Sequence, residues 1–138
     1  MASSRSILAL DVGEKRIGVA VADTAVQIAI AYDTIAVDGN EVEEILRIIS
    51  LESADTLVVG YPRNQSGEAT TQTAFVETFA AKFEGLVPRI EFQDESLTSV
   101  RAEELLTAQN KPYEKGDVDA LAASLILQDY LEAHHGRI

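Results

Sequence analysis

The chain has no cysteine, which excludes disulfides, thiolate zinc sites and cysteine nucleophiles together. Basic residues are scarce too: 11 Lys and Arg stand against 23 Asp and Glu, for a formal net charge of −12. A surface of that sign argues against coating nucleic acid non-specifically. It leaves room for a local basic track, and clustered carboxylates would need cations before approaching a phosphate. No apolar run reaches the roughly 18 residues needed to cross a bilayer. The opening MASSRS carries one Arg and no long apolar stretch with a cleavage site behind it, so no secretion signal is expected there. These absences predict a cytoplasmic protein with no membrane partner. The three prolines, Pro62, Pro88 and Pro112, all fall at breaks between patterned segments.

What is present describes an ordinary globular chain. Its 138 residues, 46% hydrophobic and 25% charged, predict one domain over 1–138 with a real core. The stretch Ile7–Asp23, ILALDVGEKRIGVAVAD, organises the rest. Two apolar runs flank Gly13-Glu14-Lys15-Arg16, a hairpin signal. At a two-residue period Ile7, Ala9 and Asp11 share one strand face, and Leu8, Leu10 and Val12 the other. On the second run Gly18, Ala20 and Ala22 keep one side small, able to admit another backbone or a ligand closely. Asp11 is thus a lone carboxylate at the rim of an apolar sheet. Such a charge is costly unless compensated. It either caps the following turn or binds a metal at the mouth of a site.

Ala31–Val37 reads as a third strand, and Asp38-Gly39 as a turn. Asn40 with Glu43 fits a capping box before a helix whose buried stripe is Val42, Ile45, Leu46 and Ile49. Thr56–Gly60 is a short strand covered on both faces, and Tyr61–Ala69 a loop. A second helix buries Val76, Phe79, Ala80 and Phe83; Arg89–Gln93 is a strand, Leu97–Ala108 a third helix. Gln109–Gly116 is a polar loop before a buried last helix, about Asp117–Ala133. The tail His134-His135-Gly136-Arg137 frays, and its adjacent histidines are not expected to form a metal site. An opening meander followed by alternating helices and strands predicts an α/β fold, a mixed five-stranded sheet with helices on both faces.

Acidic residues stand at three element boundaries: Asp11, the pair Asp94-Glu95, and Asp119 with Asp117 before it. Carboxylates converging from distant chain positions suit a pair of magnesium ions, which prefer oxygen ligands. Two such ions roughly 3.5–4 Å apart can hold a scissile phosphate and activate water. Asp117 and Asp119 suit N-terminal helix capping equally well, so spacing alone leaves their role open. The loop Tyr61–Gly67 follows a buried strand and precedes a helix. Its backbone N–H groups, with Arg63 and Asn64, can meet a phosphate; a plain turn explains it as well.

Four ordered motifs carry a resemblance. Asp11-Val12-Gly13 with Lys15-Arg16-Ile17-Gly18-Val19-Ala20 is followed by Val58-Val59-Gly60-Tyr61-Pro62-Arg63-Asn64 with Gly67, then Asp94-Glu95-Ser96-Leu97-Thr98, then Lys115-Gly116-Asp117-Val118-Asp119. Together they resemble the YqgF/RuvX family of Holliday-junction-resolvase-like nucleases over nearly the whole chain. The resemblance implies a ribonuclease-H-like fold and a Mg2+- or Mn2+-dependent nuclease that matures the 5′ end of the small-subunit ribosomal RNA. It implies Asp11, Glu95 and Asp119 as catalytic, metal-holding carboxylates, with Asp94 in reserve. A basic track of Lys15, Arg16, Arg63, Asn64, Arg101, Lys111 and Lys115 would meet the nucleic acid. The family usually has Arg after the Asp-Glu pair. Here Ser96 stands in its place, so that role is either lost or moved to Arg101 or Arg63.

Three rival readings stay open: a junction resolvase on DNA, a ribosome-binding protein without chemistry, and an actin- or sugar-kinase-like nucleotide-binding module. The last is suggested by the Asp-Val-Gly hairpin, yet a chain of this length has no room for the second lobe, and no Walker-type loop is present. A homodimer stays among the options for assembly.

Overall fold

The computed structural model describes residues 5–62, 70–95, 98–110 and 112–134. The strands are β1 (Ser6–Val12), β2 (Arg16–Asp23), β3 (Ile30–Ala36), β4 (Ala54–Tyr61) and β5 (Arg89–Asp94); the helices are α1 (Glu41–Glu52), α2 (Thr71–Ala81), α3 (Thr98–Ala108) and α4 (Lys115–Ala133). The sheet order is β3-β2-β1-β4-β5. β2 pairs antiparallel with both β1 and β3, while β1–β4 and β4–β5 are parallel. The expected order and type of the elements hold, with boundaries shifted by two residues at most.

Strand alternation builds two cores. Leu8, Leu10, Val12, Leu57 and Val59 pack beneath Ile45, Ile48, Val76, Phe79 and Phe83 of the α1–α2 side. Ile7, Ala9, Ala20, Ala22 and Val58 pack beneath Ala123, Ile126, Leu127 and Tyr130 of α4. A smaller cluster of Ala102, Val118 and Ala122 joins α3 to α4. Each fully buried aliphatic or aromatic side chain contributes about 1.5–3 kcal/mol, so both layers are needed.

The expected Asn40–Glu43 capping box does not form. Asn40 stands at the N-cap position of α1 but its backbone (φ −109°, ψ 8°) is not extended, and its side chain makes no cap bond. Other carboxylates take the amides just before the helix instead: Gly39 N–H donates to Glu41, the first residue of α1 (2.7 Å), and Asn40 N–H to Asp38 (3.0 Å). The capping box that does form belongs to α2, between Thr70 and Thr73. The Thr73 hydroxyl also donates to the carbonyl of Pro62 at 2.5 Å, tying the start of α2 to the end of β4.

α4 is the helix that positions the site. Its N-cap is Glu114, and Asp117 closes a capping box by accepting from Glu114 N–H at 2.9 Å. Thr34 on β3 donates to the Gly116 carbonyl at 2.5 Å, which fixes the first turn over the β3–β2 side. Later turns reach across: Tyr130 donates to Glu91 on β5. His134 stacks on Tyr130, with ring centroids 4.2 Å apart.

Candidate active site

Asp11 lies between two glycines. In the β1–β2 register it stands opposite Gly18, which in turn stands opposite Thr34 on β3. On its other side the β1–β4 register, continued one step past Leu10–Val59, brings Gly60 alongside. All four positions face α4.

Each glycine admits part of another acidic residue, the backbone of Asp119 at Gly18 and the side chain of Glu95 at Gly60. A Cβ on Gly18 would lie 1.9 Å from the carbonyl oxygen of Asp119 and 2.3 Å from its carbonyl carbon. The backbone of α4 therefore descends onto β2 where a side chain would forbid it. A Cβ on Gly60 would lie 3.1 Å from Cγ of Glu95 and 2.7 Å from Cδ1 of Ile126. Glu95, just past β5, thus lays its side chain across β4, and its N–H donates to Tyr61 O at 3.2 Å. There it hydrogen-bonds the carboxyl of Asp11.

The electrostatics follow from this crowding. Burial first, then the charge of Glu95 and its hydrogen bond, and then the charge of Asp119 push the Asp11 carboxyl up to about 8. Asp119 itself is turned to Arg16, whose Nε donates to Oδ2 at 2.5 Å. Among the described residues no three carboxylates stand together as a formed metal-ligand set; the third is held by a guanidinium instead.

Asp94 shares its strand face with Ile90, which packs on the α1–α2 core. Alternation thus turns the reserve carboxylate away from Asp11 and leaves it exposed. Asp117 is a helix cap and Asp119 is not, which separates two residues that spacing could not. Among the basic candidates, Lys15 is exposed on the hairpin and Lys115 is exposed at the start of α4. Arg16 is engaged with Asp119. Arg101 is paired with Asp129 at 3.1 Å, about 15 Å along α4 from Asp119, where it braces α3 against α4. Arg63, Asn64, Gly67, Ser96 and Lys111 lie outside the described residues. The Arg16–Asp119 pair was missed in the sequence because its partners are 103 positions apart. The small side of β2 was the signal that could have found it.

The role of Gly60 is directly testable. Gly60→Ala should displace the Glu95 side chain while costing about 1–3 kcal/mol of stability, as overpacking does. A misplacement of about 1 Å at a reacting centre lowers turnover by on the order of 100-fold. Kinetics alongside thermal melts check this, and near wild-type turnover would exclude Glu95 from the site.

Comparison with known proteins gives the family and the fold. The RuvX family profile, described as Holliday junction resolvase, matches residues 5–133. A Chloroflexus aurantiacus protein named "Putative pre-16S rRNA nuclease" is 42% identical over 132 residues, covering 92% of this chain and 86% of that one. A protein of the same name from Carboxydothermus hydrogenoformans is 41% identical over 134 residues, covering 91% and 94%. Among solved structures, Thermus thermophilus RuvC in complex with a Holliday junction substrate aligns with a TM-score of 0.55 at 16% identity, over 96% of each chain. That likeness shows a shared fold, the ribonuclease-H-like arrangement of a mixed five-stranded sheet between helices. With a profile match across both the Asp11 hairpin and the Asp119 helix, this chain belongs to the RuvX family.

Proposed function

We propose that the chain is a metal-dependent nuclease that trims the precursor of the small-subunit ribosomal RNA, as its relatives are named for. Asp11, Glu95 and Asp119 would hold Mg2+ or Mn2+, as one ion or a pair. The observation that carries this reading is the state of Asp11: half-buried, in hydrogen-bond contact with Glu95, and within the field of Asp119. Two carboxyls so placed require a proton or a cation between them. The donor atoms are all carboxylate oxygens, the chemistry that hard divalent cations take.

When bound, such an ion supplies Lewis acidity toward a phosphodiester and toward an attacking water. The chain's own residues do the rest. Asp11 gives up its shared proton, Glu95 is held in place across Gly60, and Asp119 is fixed by the seat of α4 on Gly18. Lys15 and Lys115, both exposed, meet the backbone phosphates. With so few cations near the site, affinity should fall only shallowly with salt, as for roughly two to four neutralised phosphates.

The test is incubation of the purified chain with a ribosomal RNA precursor carrying its 5′ extension, a four-way DNA junction and short single strands, each with Mg2+ or Mn2+. Cleavage of the precursor but not the junction is expected. Preferential cleavage of the junction would replace this reading with a DNA resolvase. Binding without any cleavage would favour a ribosome-binding protein.

A further inference from the structure

We propose that Arg16 is a built-in, removable counterion of the site: it holds Asp119 in the metal-free protein, and Asp119 can serve a divalent cation only after Arg16 lets go. This rests on the metal-dependent reading above and adds an order of events to it.

Four observations carry the proposal. The Arg16 Nε to Asp119 Oδ2 contact, at 2.5 Å, is a short charge-assisted bond. Asp119 nevertheless acts electrostatically on Asp11, so the paired carboxylate belongs to the same centre. Both backbones are pinned. Arg16 O accepts from Gly13 N–H at 3.0 Å and Arg16 pairs in register with Ala36, while Asp119 is seated on Gly18. The exchange must therefore occur by side-chain rotation alone. Finally, the Arg16 side chain is 39% exposed against 20% for Asp119, so the guanidinium is the partner with room to leave.

Linkage then sets the consequence. Whatever the Arg16–Asp119 pair adds to the metal-free state is subtracted from metal affinity, and the effect is reciprocal. Once released, a planar guanidinium on the β1–β2 hairpin has the fork geometry that recognises a phosphate. Arg16 thus acts on the metal through Asp119 as a positioning residue, and becomes available to substrate when the cation is in place.

Calorimetric titration of Mn2+ into the full chain tests this with Arg16→Gln, Arg16→Lys, Asp119→Asn and the double variant Arg16→Gln/Asp119→Asn, each checked for folding by thermal melt. Arg16→Gln is expected to tighten Mn2+ binding roughly three- to tenfold, and Arg16→Lys, which keeps charge but not the fork, by less. In the Asp119→Asn background the same Arg16 change should alter affinity by less than about twofold, because its partner is gone. An equal gain in both backgrounds would mean simple charge repulsion and overturns the proposal, as does unchanged or weaker binding by Arg16→Gln. If Asp119→Asn weakens Mn2+ binding while Arg16→Gln changes nothing, only the counterion role falls. If Asp119→Asn binds Mn2+ as wild type does, Asp119 is no ligand, and the metal-site reading falls with it.

Discussion

Asp11→Asn is expected to lower metal-dependent cleavage by on the order of 1,000-fold or more, and at the same time to stabilise the metal-free protein at neutral pH. The first effect follows if Asp11 is a metal ligand, as proposed, since its carboxyl meets Glu95 and lies in the field of Asp119. Charge stabilisation by a bound cation amounts to several kcal/mol, and each 1.36 kcal/mol is tenfold in rate. The second follows from the carboxyl held up at about 8 by burial, Glu95 and Asp119. An unfolded Asp titrates near 3.9. Between these values the folded chain keeps a proton that the unfolded chain has lost, so stability falls as pH rises from about 4 to 8. Asn cannot ionise, so the variant should lose this slope and gain on the order of a few kcal/mol at pH 7 relative to wild type. Binding of a divalent cation to the wild type should release a proton below pH 8 and weaken as pH falls. Denaturant melts across pH, in chelator, measure the stability. A variant that is less stable than wild type at pH 7 would mean that Asp11 is a structural hydrogen-bonding group.

Among the described glycines, Gly18→Ala should be the most disruptive substitution. Its new methyl would stand 1.9 Å from the carbonyl oxygen of Asp119, and that oxygen belongs to backbone in the first turns of a 19-residue helix. A side chain could swing away; here α4 must shift. A cost of about 3 kcal/mol is expected, or on the order of 10 °C in Tm, with loss of cleavage because Asp119 moves with the helix. Gly116→Ala is the matched control. The nearest atoms of the rest of the fold that its Cβ would meet are those of the Thr34 side chain, at 3.7–3.8 Å, and within a helix Ala is favoured over Gly by up to about 1 kcal/mol. The two variants should therefore shift Tm in opposite directions. Equal, small effects would show that α4 is not seated on β2 as described.

Much of this was legible in the chain, and the unread parts have physical reasons. Alternation in Ile7–Asp23 put Asp11 on the face later covered by α4, and the small side of β2 announced a close approach there. The resemblance singled out Glu95 over its neighbour; the strand parity of Asp94 supplies the reason. Asp117 and Asp119 could not be separated by spacing, since residues two apart at a helix start serve equally well as caps until the neighbouring strand is known. Arg16 reads as a phosphate contact because nothing local betrays a partner 103 residues away. Arg101 likewise has its partner, Asp129, on another helix. The capping expectation failed at α1 because capping depends on N-cap backbone angles, which residue types constrain only weakly.

The central claim is that two glycines beside Asp11 bring Glu95 and Asp119 to it to form a metal centre. It is tested most directly by soaking crystals of the protein in Mn2+ and locating the ion by its anomalous scattering. Mn2+ is expected within about 2.2 Å of an Asp11 oxygen, with Glu95 and Asp119 among the remaining ligands and Arg16 withdrawn from Asp119. Saturating Mn2+ that binds elsewhere, leaving Asp11 on Glu95 and Arg16 on Asp119, would contradict it.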